Sequence, residues 1–124
     1  MPVTLEQIVF DAADALRLAQ FYAQVLEREV DPGGSEYFAT VGRSGAAPLH
    51  PVFMFIQVPE GRVGKNRLHV DLVSPDRAAD IQRAISAGAK HVADFAEYGT
   101  AWTTLADPEG NLFDIGDGLG AEGS

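Results

Sequence analysis

The chain has no cysteine, one tryptophan, and only nine lysines and arginines against eighteen aspartates and glutamates. Without cysteine it has no disulfide, no thiolate metal ligand and no cysteine nucleophile. The formal charge of −9 repels phosphate backbones and argues against nucleic acid as a partner. No apolar run approaches the roughly 20 residues that span a bilayer, and no signal-peptide pattern is present. We therefore expect a cytoplasmic protein without a membrane partner.

Composition and length indicate one globular domain covering residues 1–124. Hydrophobic residues make up 46% of the chain and charged residues 22%, which is ordinary for a folded protein. A chain of this length buries a real core but is too short for two independent domains. If the chain consists of two half-size modules, each would therefore depend on the other for its stability.

A strand-like run that leads to an aspartate occurs twice, with the copies 62 residues apart. Gln7 and Asp14 in the first copy correspond to His69 and Asp76 in the second. In each copy apolar and polar residues alternate before the aspartate, which is placed to cap a helix. This pattern predicts an internal duplication. The expected boundaries are a first module over about 1–58, a linker over 59–66, a second module over about 67–116 and a loose tail over 117–124.

Each half carries its own helix and strand signals. The first helix has an apolar stripe of Leu18, Phe21, Tyr22, Val25 and Leu26, and the second uses Ile81, Ala84 and Ile85. Gly88 is placed to end the second helix in a left-handed conformation. The densest apolar run, Val52 to Val58, predicts a strand buried on both faces. The turn from Asp107 to Asn111 connects the last two strands.

Together these motifs resemble the vicinal oxygen chelate superfamily, which includes glyoxalase I, bleomycin-resistance proteins and extradiol dioxygenases. The similarity covers nearly the whole chain. It is carried by Asp14 with Phe21-Tyr22 and Val25-Leu26, the run from Lys65 to Leu72, Ala87-Gly88-Ala89, and the segment from Trp102 to Asp114. The resemblance implies an α+β fold in which two βαβββ modules form an open, cup-shaped mixed sheet, often completed by a homodimer.

The resemblance also implies a set of metal ligands. The first three positions fall on Gln7, Gln57 and His69, and the last, usually glutamate, falls on the shorter Asp114. Such a set of amide, imidazole and carboxylate groups suits one divalent ion of Zn, Ni, Co, Mn or Fe. A one-residue slip in the Val52 to Val58 strand would replace Gln57 by Ile56. If the cup is swapped between subunits, the two glutamines come from one chain and His69 and Asp114 from the other.

Other residues are candidates for binding an organic ligand. Phe53, Phe55 and Trp102 are expected to line an aromatic cup, although an ordinary core explains such residues equally well. Asp71 lies on the face of His69 and is either a contact for a cationic ligand or the partner of Arg67 in an exposed salt bridge. His69 itself has a second interpretation, a hydrogen bond to Asp71 or Asp114 without any metal.

Two functions follow from these alternatives. The first is sequestration of an aromatic or cationic small molecule, as in bleomycin-resistance proteins, without metal or general base. The second is a metal-dependent lyase or isomerase of the glyoxalase type, for which the sequence does not identify catalytic residues beyond a role for Asp114 as a base. A dioxygenase is disfavoured because its two-histidine, one-carboxylate iron site would require histidine in place of Gln7.

Overall fold

The computed structural model describes residues 3–45, 47–61, 64, 68–97 and 99–117. The chain divides into two compact units, Met1–Gly61 and Arg62–Ser124. Within the described ranges there are two helices and seven strands. The division falls inside the predicted linker 59–66, but most of that linker, together with Arg67 and the tail from residue 118, lies outside the described residues.

The first unit has a three-stranded sheet and one helix. Its elements are β1 (Gln7–Ala12), α1 (Ala15–Val25), β2 (Phe38–Val41) and β3 (Val52–Gln57). Strand β3 lies in the centre, parallel to β1 and antiparallel to β2. An isolated bridge joins Val30 to Val41. The fourth strand expected for this module is thus reduced to a single bridge.

Helix α1 covers one face of this sheet and builds the core of the first unit. Asp14 caps the helix, because its side chain accepts a hydrogen bond from the Arg17 backbone N–H, as the sequence predicts. Seven of the eleven helix residues are buried. Tyr22 packs against Phe10, Phe53 and Phe55, with ring centroids 5.1 to 5.8 Å apart. This aromatic cluster removes a large apolar area from water.

The second unit repeats the strand and helix order with four strands. Its elements are β4 (Val70–Val73), α2 (Arg77–Ala87), β5 (Lys90–Glu97), β6 (Thr100–Ala106) and β7 (Leu112–Gly116). The sheet order is β4-β7-β6-β5, and β4 is parallel to β7. The two helices have equal lengths and begin 62 residues apart. The predicted α+β fold is confirmed.

Helix α2 is capped at both ends as predicted but buries little. The Asp76 side chain accepts a hydrogen bond from the Ala79 backbone N–H, and Gly88 ends the helix with a φ of 125°. Only Ala84 of the helix residues is buried, and Ile85 is 38% exposed. Helix α2 therefore leaves part of the sheet, at strands β5 and β6, uncovered.

None of the helices in the described part of the chain is long and apolar enough to cross a membrane.

Candidate ligand pocket and cation site

A concave pocket of about 730 Å³ lies on one face of the four-stranded sheet. Strand β7 contributes Leu112, Asp114 and Gly116, which alternate with the buried Phe113 and Ile115. Because successive strand residues point to opposite faces, the same strand serves the pocket on one side and the core on the other. We call this the acidic pocket, after Asp71 and Asp114 in its lining.

One wall of the acidic pocket is aromatic. Phe95 of β5 lies opposite Trp102 of β6 in the antiparallel pairing. The two rings stack with centroids 5.2 Å apart and an interplanar angle of 18°. Phe95 is 40% exposed although it lies in a strand. The pair therefore presents partly exposed aromatic surface to the acidic pocket.

The polar end of the pocket is formed by His69, Asp71 and Asp114. The His69 Nδ1 atom lies 2.8 Å from Asp71 Oδ1 and 3.6 Å from Asp114 Oδ2. Asp71 and Asp114 are paired in the parallel register of β4 and β7, so both carboxylates project from the same face. The hydrogen bond of His69 to Asp71 that the sequence suggests is present.

Asp114 differs from its neighbours in being largely shielded from water. Its side chain is 15% exposed, against 53% for His69 and 67% for Asp71. Burial raises the pKa of Asp114, and the nearby Asp71 carboxylate adds to the increase, while Thr104 and His69 lower it. The Thr104 hydroxyl donates to Asp114 Oδ1 at 2.6 Å and leaves Oδ2 directed towards His69. Two carboxylates in this proximity favour a positively charged partner.

The same three residues fit a divalent cation. One nitrogen and two carboxylate oxygens, one from each residue, lie within 4.8 Å of one another. This donor set suits Zn²⁺, Mn²⁺ or Fe²⁺ and leaves coordination positions for other ligands. Asp71 supplies a second anionic group, which compensates for the weaker donor that a glutamine would provide.

Gln7 and Gln57 are not brought together within the first unit. They lie at opposite ends of the β1–β3 pair, since Gln7 pairs with Val52 and Gln57 with Ala12. At about 3.3 Å per residue they are separated by about 16 Å along the strands. They also face opposite sides of the sheet. Gln7 shares a face with its partner Val52, and Gln57 lies five positions further along β3, an odd number that places it on the other face. One ion cannot contact both glutamines of a single chain.

Each glutamine has another partner. Gln7 Oε1 accepts a hydrogen bond from an Arg43 guanidinium nitrogen at 2.8 Å, and a cation at that oxygen disfavours a second one. Gln57 Nε2 donates to the Ala13 carbonyl at 3.0 Å. Both side chains are thus engaged in hydrogen bonds within the first unit.

Phe53 and Phe55 lie in the core rather than in a ligand site. They are 5% and 0% exposed and belong to the aromatic cluster around Tyr22. The sequence predicts that they contact a ligand, but in the structure helix α1 covers the face of β3 on which they lie. The alternation of residues in β3 does not by itself determine which face a helix covers. Trp102 and Asp71, in contrast, line the acidic pocket, and their contact with a ligand stays a prediction.

The sequence analysis did not identify Phe95 and Thr104 as pocket residues. For Thr104, the turn from Asp107 to Asn111 contained the necessary information. An antiparallel hairpin folded about that turn places Thr104 opposite Asp114, as the register shows. Phe95 required the register of β5 with β6, which a bulge between His91 and Ala93 shifts.

Comparisons with known proteins agree with this fold. Residues 7–116 match the family described as a glyoxalase-like domain. None of the curated proteins matches the chain. A glyoxalase/bleomycin resistance protein/dioxygenase family enzyme from Burkholderia phytofirmans PsJN is 20% identical, with a TM-score of 0.73 over 92% of this chain and 98% of that chain. FosX, a fosfomycin resistance protein from Mesorhizobium loti, is 13% identical, with a TM-score of 0.72 over 98% of both chains. TioX from Micromonospora sp. ML1 is 16% identical, with a TM-score of 0.65 over 94% of this chain and 100% of that chain. At these identities the similarity shows the fold alone.

Proposed function

Because this chain belongs to the glyoxalase-like domain family of the vicinal oxygen chelate superfamily, we propose that it binds a small aromatic cation in the acidic pocket. The observation that carries the proposal is the combination of a stacked Phe95–Trp102 wall with the Asp71 and Asp114 carboxylates in one cavity of about 730 Å³. A planar ring stacks on the aromatic wall, and the positive charge lies at the carboxylates.

The electrostatics of the chain support a cationic ligand over an anionic one. The acidic pocket holds two carboxylates, and its only basic group among the described lining residues is the His69 imidazole. The formal net charge of −9 acts in the same direction over longer distances. A bound cation would also relieve the repulsion between Asp71 and Asp114.

Fluorescence titration tests this binding directly, since Trp102 is the sole tryptophan of the chain and lies in the pocket wall. We expect saturable changes in Trp102 emission with small planar aromatic cations. Neutral ring compounds of the same size should bind more weakly. The Asp114→Asn variant should weaken cation binding by about tenfold, the effect expected for a hydrogen bond to a charged group.

A matched control is Asp94→Asn, an aspartate of β5 that does not line the acidic pocket. This variant should bind the same cations as the unchanged protein. If cations and neutral compounds bind equally, or if Asp94→Asn and Asp114→Asn weaken binding to the same extent, the proposal fails. Calorimetry on the same variants checks that emission changes report binding.

The second candidate is a metal-dependent lyase or isomerase, favoured by the grouping of His69, Asp71 and Asp114. These three residues would hold a divalent ion, and neither glutamine is needed for it. A bound ion would supply Lewis-acid stabilisation of negative charge on a substrate oxygen. The chain's own contribution would be to orient Asp114 through Thr104 and to exclude water with the Phe95–Trp102 wall.

Elemental analysis distinguishes the two candidates. After dialysis against Zn²⁺, Mn²⁺, Ni²⁺, Co²⁺ or Fe²⁺, near-stoichiometric metal that is lost in His69→Ala would favour the enzyme. The matched control is His91→Ala, because His91 is also half exposed and paired with an aspartate but lies outside the cluster. Metal content that is unchanged in His69→Ala would rule out the cation site, and the search would then concern organic ligands.

A homodimer is part of the proposal, as proteins of this family commonly form dimers. It is supported by exposed apolar residues on the sheet face of the first unit that α1 leaves open. Val9 and Phe38 are 46% and 45% exposed, and they pair with Met54 and Ile56 in register. Light scattering coupled to size-exclusion chromatography measures the mass, and a mass of 13.2 kDa at all concentrations would contradict a dimer.

A further inference from the structure

A second pocket, of about 500 Å³, lies between the beginning of α2 and strands β5 and β6. Two charged side chains, Arg77 and Asp94, contribute to its lining. We call it the charged pocket. The remaining lining residues are mostly small or apolar, and they include Ala78, Ile81, Ala96 and Ala101. It exists because α2 leaves this part of the sheet uncovered.

The two charged groups are held at a fixed separation by one buried hydroxyl. Thr103 is 0% exposed, and its Oγ1 donates to Asp94 Oδ1 at 2.7 Å. The same oxygen accepts a hydrogen bond from Arg77 Nη1 at 3.0 Å. The guanidinium nitrogen and the carboxylate oxygen therefore lie no further apart than these two distances together. Opposite charges at this spacing match the two charged groups of one small molecule.

A second contact fixes each charged group at its other side. Arg77 Nε donates to Asp117 Oδ1 at 3.1 Å, and His91 Nε2 lies 3.1 Å from Asp94 Oδ2. The hydrogen bonds of Arg77 to Thr103 and Asp117 use two of the five N–H donors of its guanidinium group. Among the residues that the structure describes, no partner takes up the remaining donors of Arg77, and 30% of the side chain is exposed. Groups that are ordered before binding lose little conformational entropy when a ligand arrives.

We propose that the charged pocket binds a small zwitterion of the α-amino acid type. The carboxylate of the ligand pairs with Arg77, the ammonium pairs with Asp94, and an aliphatic side chain packs against Ala78 and Ile81. A simple anion that pairs with Arg77 also lies close to the Asp94 and Asp117 carboxylates, and a simple cation that pairs with Asp94 lies close to Arg77. A molecule with both charges pairs with Arg77 and Asp94 at once.

Titration of the ¹⁵N-labelled full-length protein with glycine, L-alanine and L-leucine tests the site. We expect saturable shifts of backbone amides in β5 and β6 with at least one of these amino acids, with affinity in the millimolar range. Acetate and methylammonium at the same concentrations should give no saturable shift. Loss of one charge-assisted bond should weaken binding about tenfold or more in Asp94→Asn and in Arg77→Met.

Two variants serve as controls. Arg83→Met removes another arginine of α2, which pairs with Asp80 outside the charged pocket, and should leave amino-acid binding unchanged. His69→Ala alters the acidic pocket only and should also leave it unchanged, which separates this proposal from the function proposed above. The proposal is overturned if none of the three amino acids binds, if acetate alone binds as well, or if Asp94→Asn binds normally.

Discussion

At the scale of single residues, Asp31 is a buried carboxylate of the first unit that is held by several hydrogen bonds. It is 8% exposed and accepts hydrogen bonds from the Thr40 and Ser44 hydroxyls and from the backbone N–H groups of Arg43 and Ser44. Burial alone would raise the pKa of Asp31, but these hydrogen bonds outweigh it and lower the pKa from 3.8 to about 2. The ionised form is therefore stabilised in the folded protein.

We predict that Asp31→Asn lowers the free energy of unfolding by about 2 kcal/mol at neutral pH, as the shift of the pKa implies. Because the folded pKa is depressed, the stabilisation is present above 3.8 and is lost as the pH falls towards 2. Urea unfolding at neutral pH and near pH 2 should show the difference between the two proteins shrinking with acid. Asp11→Asn, at an exposed position of β1, is the control. A difference that does not change with pH would contradict the assignment.

Thr104, on the neighbouring strand β6, affects the pKa of Asp114. Its hydroxyl donates to Asp114 Oδ1 and lowers a pKa that burial and Asp71 raise. Thr104→Val should therefore raise the pKa of Asp114 further, whereas Thr104→Ser should keep it close to that of the unchanged protein. Carboxyl ¹³C shifts of Asp114 as a function of pH measure this. Equal values in the valine and serine variants would show that the hydroxyl has no such role.

At the scale of elements, the two helices have the same length and type of cap but different burial. Leu18 of α1 is 1% exposed, whereas Ile85 of α2 is 38% exposed. We predict that Leu18→Ala costs about 3 kcal/mol of stability. Ile85→Ala should cost about 1 kcal/mol or less, because much of the side chain stays in water. Denaturant unfolding of both variants gives the comparison, and equal costs would mean that α2 is covered in solution.

The elements were predictable from the sequence to the extent that local chemistry determines them. The Asp14 and Asp76 caps, the left-handed Gly88 and the repeated order all follow from short-range patterns. Strand alternation sorts residues into two faces but does not say which face a helix will cover. That is why Phe53 and Phe55, expected at a ligand, lie under α1 instead.

The candidate site was predictable where it depends on one short stretch or one turn. His69 and Asp71 are two residues apart on one strand face, and the Asp107–Asn111 turn determines the register around Asp114. Gln57 could not be placed in the same way, because its relation to Gln7 depends on the parallel register of two strands that are distant in sequence. A register of that kind is decided by packing of the whole sheet.

At the scale of the whole molecule, the two units share one order of strand and helix but differ in what they bury. The first unit concentrates its aromatic residues under α1. The second unit leaves its aromatic pair partly exposed and carries a pocket on each side of its sheet. Among the described residues, the acidic pocket and the charged pocket are both lined by the second unit.

The net charge of −9 gives the last prediction, which concerns salt. Screening lengths fall from about 30 Å at 0.01 M to about 8 Å at 0.15 M, so distant carboxylates stop contributing while Asp71 and Asp114 still act on a ligand in contact. Affinity for an aromatic cation should therefore decrease several-fold over this range and then level off. A neutral ring compound of the same shape should show no such decrease in Trp102 titrations. A cation whose affinity does not depend on salt would mean that the aromatic wall alone, and not the charge of the molecule, governs binding.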